Sequence, residues 1–270
     1  LAKVYPDGQN SQIANAPIYG PMRISPDQQL LALPIYTIPI NQRGTLLGDG
    51  LVELWKIRFT ERTKNTGPEF SHHRTIRIPD SIISGMDFSK DCQTLITATN
   101  DLSIHLWNPE DGSLIREFAA DEGLPKELKD DAVVGAPNHL GRSYTVDISP
   151  DGKTLAVAFS RIVRLYDLEK NRWISYHRLP NGFGHQNLVF HPSGHWLVST
   201  TPTKLVLWSL RGLEPRLCVE VPKPDISRHN VVFSPDGKSM VTGGYEPLRW
   251  SFDQLLEAAN SPARRNFSLP

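Results

Sequence analysis

Histidine pairs are the residues of this chain whose spacing could hold a metal ion. His191 and His195 bracket a Pro-Ser-Gly turn, so their rings could approach one another. A zinc site needs three or four ligands, and the sequence fixes no third ligand near this turn. His72 and His73 are adjacent in a polar stretch, and neighbouring side chains diverge. The sequence therefore predicts no metal site.

The acidic residues between positions 121 and 131 do not match a calcium-binding loop. They lack its ligand spacing and its glycine, and Lys126 and Lys129 lie among them. Cys92 and Cys218 have no neighbouring histidine that would activate a thiol, and two cysteines make no disulfide framework. We therefore interpret the acids as solvated charge and expect a cytoplasmic, reducing environment.

Catalytic and phosphate-binding motifs are also missing from the sequence. It contains no Gly-x-Ser-x-Gly elbow, no Gly-x-x-x-x-Gly-Lys loop and no Gly-x-Gly-x-x-Gly segment. Twenty-nine Lys and Arg residues balance twenty-nine Asp and Glu residues, which argues against nucleic acid or an anionic membrane as the main partner. The longest apolar stretch ends at Pro34, too early to span a membrane. We predict a protein that is not an enzyme and needs no cofactor.

A recurring tetrapeptide organises the chain. Pro presets φ, Asp bonds back to the backbone and Gly accepts positive φ, so Ser-Pro-Asp-Gly is a turn between two strands. Alternating apolar segments precede and follow each copy, which predicts strand–turn–strand hairpins. The five copies begin at Ser25, Ser89, Ser149, His191 and Ser234.

A second signature follows each hairpin, a short alternating strand that ends in an aromatic residue. The distance from the first turn residue to this aromatic is 30 residues in the first copy and 18, 17, 17 and 16 in the others. A further strand follows in four copies, near 74–78, 113–118, 173–179 and 216–221, whereas residues 251–259 predict a short helix. The closing aromatics are Trp55, Trp107, Tyr166, Trp208 and Trp250.

This pattern resembles the WD40 repeat, in which about 42 residues form one four-stranded blade of a β-propeller. The last turns are 42 and 43 residues apart, and the earlier spacings of 64 and 60 leave room for inserts near 60–72 and 119–135. The resemblance implies an all-β propeller in a single domain, 1–270. Its blades lie at about 17–80, 81–136, 137–180, 181–224 and 225–252, with a C-terminal helix and tail at 251–270.

Two questions about the ring stay open at this point. The strand Ala2–Tyr5 could complete the last blade, or it could be the outer strand of a blade that lies upstream. Five blades could close a small ring or form part of a larger one, because seven blades with inserts need more than 270 residues. The inserts also allow two readings each, since 34–49 and 119–135 could pack on the ring or face a partner.

The family's own motif positions are only partly kept. The resemblance implies that Asp49 and Asp101, six residues before a closing Trp, turn the hairpin between second and third strands. The Gly-His pair of the family is mostly replaced by a Pro followed by Asp or Asn, for which we predict a structural role at the blade crossovers.

The resemblance implies a non-catalytic scaffold or sensing domain that binds other proteins or peptides, within a larger complex or a multidomain protein. The alternative is a propeller enzyme or a ligand-binding propeller whose site lies at the central channel. Acids, Arg or His converging at the ring axis would favour that alternative. The residues expected to contact a partner lie at strand entries and hairpin turns and are Asn100, Arg142, Tyr144, Phe159, His185 and Arg228.

Overall fold

The computed structural model describes residues 22–36, 49–59, 67–133, 144–179, 187–201, 203–220, 230–243 and 247–261. Their strands form five antiparallel sheets, which follow one another along the chain as the blades of a propeller. The predicted all-β propeller is confirmed. In each sheet the first strand of the repeat is innermost, because the inner strands of consecutive blades pack against one another.

The first three blades each contain four strands in sequence order. Blade 1 holds β1 (Arg23–Ile24), β2 (Leu30–Tyr36), β3 (Gly50–Arg58) and β4 (Glu69–Ile78). Blade 2 holds β5 (Ile83–Phe88), β6 (Leu95–Thr99), β7 (Ser103–Trp107) and β8 (Leu114–Ala119), and the helix α1 (Lys126–Val133) follows it. Blade 3 holds β9 (Tyr144–Ile148), β10 (Thr154–Phe159), β11 (Ile162–Asp167) and β12 (Arg172–Arg178).

The last two blades differ in their outer edge. Blade 4 holds β13 (Asn187–Phe190), β14 (Trp196–Thr200), β15 (Lys204–Ser209) and β16 (Glu214–Glu220). Blade 5 holds β17 (Val231–Phe233), β18 (Ser239–Thr242) and β19 (Leu248–Ser251), and the helix α2 (Phe252–Asn260) follows directly. The predicted C-terminal helix is confirmed, with Ser251 as its N-cap. The predicted strand Ala2–Tyr5 lies outside the described residues.

The tetrapeptide turns owe their shape to one repeated hydrogen-bond pattern. In blade 3 the Ser149 hydroxyl donates to Asp151 Oδ1 at 2.5 Å and accepts the Thr154 N–H at 2.9 Å. The Ser hydroxyl lowers the pKa of Asp151, and the same contact lowers the pKa of the turn aspartates of blades 1, 2 and 5. The fourth turn residue has φ between 60° and 75° in all five copies, which glycine adopts without strain.

A β-bulge precedes the closing aromatic in each of the first four blades. The pairing of the third strand with the fourth shifts register between Leu54 and Trp55, and at the same step in blades 2, 3 and 4. The extra residue lies on the fourth strand, as at His73 of blade 1, which is passed over between the pairs Leu54–Arg74 and Trp55–His72. The outer strand therefore bends opposite the aromatic residue of the third strand.

Four apolar cores fill the spaces between consecutive blades. Met86 and Phe88 pack against blade 1, while Val157 and Phe159 pack against blade 2. Similar cores join blades 3 and 4 and blades 4 and 5, and Phe252 brings α2 into the last of them. Each interior sheet is therefore buried on both faces, which makes its strands nearly continuous in apolar residues.

Two of the predicted inserts are reinterpreted by the structure. Residues 69–72, expected in an insert, belong to β4, because β3 and β4 pair over an extended length from Gly50–Ile78 to Arg58–Glu69. In the insert after blade 2, Leu124 is buried in the core between blades 2 and 3 and Leu128 packs against it. These contacts favour the interpretation that α1 packs on the ring, and they argue against α1 as a free docking element.

Candidate functional site

The antiparallel order of the strands gives the propeller two unlike faces. The turn face carries the five tetrapeptide turns, which have the same length and satisfy their own polar groups. The connection face carries the links between second and third strands and the links between blades. These links differ in length, from residues 79–82 between blades 1 and 2 to residues 120–143 between blades 2 and 3. Loops of variable length on a rigid frame are where binding specificity usually resides.

Three of the six predicted contact residues lie in the described part of the chain. All three make contacts within the propeller itself. Asn100 accepts the N–H of Ile82 at 2.8 Å through Oδ1, so it joins the hairpin to the blade entry. Phe159 is fully buried and Tyr144 is 2% exposed, both in the core between blades 2 and 3. A buried side chain presents no surface to a partner, so Tyr144 and Phe159 do not belong to a contact surface.

The remaining predicted contact residues, Arg142, His185 and Arg228, lie outside the described residues. All three fall within links between blades, at 120–143, 179–186 and 221–230. Their role in binding stays a prediction.

Asp49 and Asp101 both bond near the hairpin between second and third strands. Asp101 Oδ1 accepts the Thr99 hydroxyl at 2.6 Å and the Ser103 N–H at 3.1 Å, within its own turn. Asp49 instead receives the guanidinium of Arg77 and the N–H of Asp80, so it ties β3 to the crossover into blade 2. The backbone of Asp80 has a positive φ of 50°. Among residues other than glycine, Asn and Asp adopt this conformation most readily, which explains an Asp at this position.

The indole groups of the closing tryptophans bond to a second-strand hydroxyl in three blades. Trp107 Nε1 donates to Thr97 Oγ1 at 3.0 Å, and Trp208 Nε1 donates to Ser199 Oγ at 2.8 Å. Trp250 donates in the same way to Thr242, whereas Trp55 donates to the Glu53 carboxylate at 3.0 Å. Tyr166 stacks on Phe118 of blade 2, with ring centroids 4.2 Å apart. The tryptophan bonds lie within single blades, whereas the Tyr166 stack joins blades 2 and 3.

The histidines of the two pairs make contacts of their own. His191 Nε2 lies 3.0 Å from the carbonyl oxygen of Gly237, and its ring stacks on Phe252, so it joins the turns of blades 4 and 5. His195 is exposed. His72 contacts Thr75, and within the described ranges no three His, Cys, Asp or Glu side chains cluster in a way that could bind a metal.

Neither cysteine is activated as a nucleophile. Cys92 and Cys218 are both free thiols. Burial raises the pKa of each thiol, so the reactive thiolate is disfavoured at neutral pH.

Charged residues do converge where the inner strands meet, a feature that the sequence analysis did not assign. Arg23, Asp87 and Asp147 occupy the same repeat position, two residues before the turn, in blades 1, 2 and 3. Arg23 Nε lies 3.8 Å from Asp87 Oδ1. Each carboxylate accepts a backbone N–H of the next blade, from Ile148 at 2.9 Å and from Phe190 at 2.6 Å. Aligning the repeats would have revealed this charged position.

A second unpredicted residue, Arg164, anchors the link between blades 2 and 3. Its guanidinium is buried and donates to the carbonyl oxygens of Ala120 at 2.5 Å and Glu122 at 2.9 Å. It also lies 3.8 Å above the ring of Trp173. Burial lowers the pKa of Arg164 to about 10, so the group stays charged at neutral pH. Arg164 fixes the start of the longest link on the connection face.

Comparison with known families agrees with this architecture. A family model described as "WD domain, G-beta repeat" matches residues 69–108. That span covers the outer strand of blade 1 and the first three strands of blade 2. One sequence repeat therefore begins one strand earlier than one structural blade. The remaining four turns and closing aromatics repeat the same pattern. The chain is a five-bladed β-propeller, and one of its repeats matches the WD40 family model.

Three curated proteins resemble this propeller over about two thirds of its length. Protein hir1 of Aspergillus terreus is 28% identical over 186 residues, which cover 68% of this chain and 17% of the relative. Protein hir1 of Emericella nidulans is 28% identical over 200 residues, which cover 66% of this chain and 18% of the relative. Protein HIR1 of Aspergillus oryzae is 27% identical, with coverage of 68% and 18%. The propeller thus spans less than a fifth of these relatives.

No helix in the described part of the chain is long and apolar enough to cross a membrane. The two helices of that part are short.

Proposed function

We propose that this propeller is a non-catalytic scaffold that binds other proteins through its connection face. The observation that carries the proposal is the contrast between the two faces. The turn face repeats one self-satisfied turn five times, whereas the links of the connection face differ in length on a rigid frame. The free thiols Cys92 and Cys218 suit a cytoplasmic location.

The alternative of a channel enzyme or ligand-binding channel has less support. The charged residues that converge on the inner strands are engaged, since Asp87 and Asp147 accept backbone N–H groups of the neighbouring blades. A catalytic carboxylate must instead reach a substrate proton. We therefore assign these residues to the frame.

A charge-reversal experiment tests the binding face. Arg142→Glu combined with Arg228→Glu should abolish capture of the partners that wild type enriches, because both residues lie in the sequence segments that link two blades. Lys153→Glu combined with Lys238→Glu is the matched control on the turn face, where both lysines follow a tetrapeptide turn. Quantitative mass spectrometry of affinity-captured proteins reads out both variants. Loss of partners from the lysine variant alone would contradict the proposal.

We further propose that the five blades are an arc of a larger ring. Ile24 of blade 1 is 55% exposed, whereas Ile148 and Phe190, at the same repeat position in blades 3 and 4, are 8% and 4% exposed. Val241 of blade 5 is 38% exposed, whereas Val198 at the same position in blade 4 is fully buried. Both end faces thus carry the positions that blades normally bury against each other.

The fifth blade also departs from the others in one residue of its free face. Arg249 is exposed immediately before the closing Trp250. The corresponding positions of blades 1 to 4 are all apolar and buried: Leu54, Leu106, Leu165 and Leu207. A further blade that packs there is expected to offer a polar or acidic group to this arginine.

Lysine substitutions at the end faces test whether the ring is closed. Ile24→Lys combined with Val241→Lys is expected to change the free energy of unfolding by less than about 1 kcal/mol, because exposed positions tolerate charge. Val198→Lys, the buried match, is expected to cost more than about 3 kcal/mol. Urea denaturation followed by tryptophan fluorescence measures both. If the double variant is as unstable as the control, the end faces pack on each other and the ring closes with five blades.

A further inference from the structure

The inner strands of blades 2, 3 and 4 are joined by a chain of side-chain bonds that goes beyond the scaffold function. Asp87 Oδ2 accepts the Ile148 N–H at 2.9 Å, and Asp147 Oδ2 accepts the Phe190 N–H at 2.6 Å. Each carboxyl group therefore connects its own inner strand to the next one. Because the inner strands are the narrowest part of a propeller, these bonds fix the spacing of three blades.

The Asp87 carboxyl group also lies beside Asp147, because the N–H that its Oδ2 accepts belongs to Ile148, the next residue along β9. Two carboxylates are both acceptors, so neighbouring carboxyl groups can hydrogen-bond to each other only when one of them carries a proton. The strands that carry them approach closely, since a Cβ on Gly85 of β5 would lie 3.0 Å from the carbonyl oxygen of Tyr144 on β9. The backbone therefore leaves the two groups little room to separate.

Among the residues that the structure describes, few charged groups lie near the pair. From β1, Arg23 Nε lies 3.8 Å from Asp87 Oδ1. From β13 the neighbouring group is the Phe190 N–H, and the equivalent side chain of that strand is the apolar Val189. The Asp87 side chain is 19% exposed, so protons of the solvent can reach the pair. One cation 3.8 Å away does not neutralise two adjacent carboxylates.

We propose that Asp87 and Asp147 share one proton in the folded propeller, and that this proton is part of the latch between blades 2, 3 and 4. Loss of the proton places two negative charges at a close boundary between inner strands. Their repulsion weakens the contact between β5 and β9 and the bonds to Ile148 and Phe190. The contacts between the inner strands of blades 2, 3 and 4 are then most stable at mildly acidic pH and become less stable as the pH rises.

The direction of the pH dependence follows from linkage. Burial raises the pKa of Asp87, and burial together with the charge of Asp87 raises the pKa of Asp147 well above its ordinary value. The folded state therefore holds the proton more tightly than the unfolded chain. This contribution is present at acid pH and is lost as the pH rises from the ordinary carboxyl range through the raised pKa.

Asp147→Asn tests the latch because an amide reproduces it without a titrating proton. The amide oxygen can accept the Phe190 N–H, and the amide nitrogen can donate to Asp87. Urea unfolding of wild type and variant at a series of pH values from about 4 to about 9 measures the difference in stability. Buried histidines such as His191, whose pKa is lowered by burial, are common to both proteins and cancel.

As the pH rises, we expect the stability of the variant to increase relative to that of wild type. The ratio of their unfolding equilibrium constants should change by about tenfold or more and then become constant. A difference that stays constant within about twofold over the whole range overturns the proposal. Asp151→Asn, which removes a turn aspartate with a lowered pKa, is the matched control and should change the pH dependence only at the acid end.

Two further measurements keep the proposal testable if the amide variant folds poorly. In the wild type, amide exchange at Ile148 and Phe190, corrected for intrinsic rates, should lose protection with rising pH, whereas amides of blade 5 should not. Arg23→Gln should move the change to higher pH, because the guanidinium lowers the pKa of Asp87. Protection that is independent of pH at both amides would refute the latch.

Discussion

Arg164→Met is expected to lower the free energy of unfolding by about 2–4 kcal/mol and to release the link between blades 2 and 3. The guanidinium makes two charge-assisted hydrogen bonds, one to the buried carbonyl oxygen of Ala120 and one to the partly buried carbonyl oxygen of Glu122, and methionine leaves both unpaired. It also removes the contact over Trp173. The substitution also removes the desolvation cost of a buried cation, and this gain offsets part of the loss. We therefore expect the decrease in the free energy of unfolding to stay within the range given.

Two readouts separate a local release from a general loss of stability. Urea denaturation gives the free energy, and limited trypsin digestion reports cleavage after Lys126 and Lys129 in the link. Both cleavages should accelerate in native buffer. Arg164→Lys should recover only part of the loss, because an ammonium lacks the planar fork that reaches two carbonyl groups. Arg172→Met, an exposed arginine on β12, should change neither. Unchanged digestion of Arg164→Met would contradict the anchoring role.

Phe159→Ala is expected to cost about 3–5 kcal/mol without reducing the partner affinity of the protein that remains folded. Phe159 is fully buried between blades 2 and 3, and its ring packs 6.1 Å from that of Tyr144. Removing a buried phenylalanine ring loses its transfer free energy and leaves a cavity. The side chain offers no surface to a partner, so binding should change only through the folded fraction.

An exposed phenylalanine provides the matched control. Phe70 on β4 is 52% exposed, so Phe70→Ala should cost less than about 1 kcal/mol. Thermal and urea unfolding give the stabilities, and capture experiments normalised to folded protein give the affinities. A loss of partner from folded Phe159→Ala at unchanged stability would return Phe159 to the contact surface.

Local chemistry made most of the fold predictable. The Ser hydroxyl and the Asp carboxylate of a turn such as Ser149–Gly152 satisfy each other over four or five residues, so the turn can be read without knowing its neighbours. The closing aromatic recurs at nearly constant spacing because it occupies the same place in the third strand of every blade, opposite a bulged fourth strand in blades 1 to 4. Ser251 as N-cap made α2 predictable for the same reason, since a cap is also a local signal.

The candidate site was less predictable because it depends on which face of each sheet is covered. Alternation shows that Tyr144 and Phe159 point to one side of blade 3, but an interior blade buries both of its sides. Strand entry alone therefore could not distinguish a rim residue from a core residue. Arg23, Asp87 and Asp147 were missed because the contacts that define them join strands about 60 residues apart.

The amino-acid sequence by itself determined the five repeats, their turns, their strand order and the absence of a catalytic motif. Each of these depends on residues that are close in the chain, where steric preference and hydrogen bonding act directly. Only the tertiary structure decided that the acids of two inner strands meet, that Arg164 holds a distant link, and that two predicted contact residues are core. Those facts depend on how one blade packs against the next, and this packing combines side chains that no local spacing brings together.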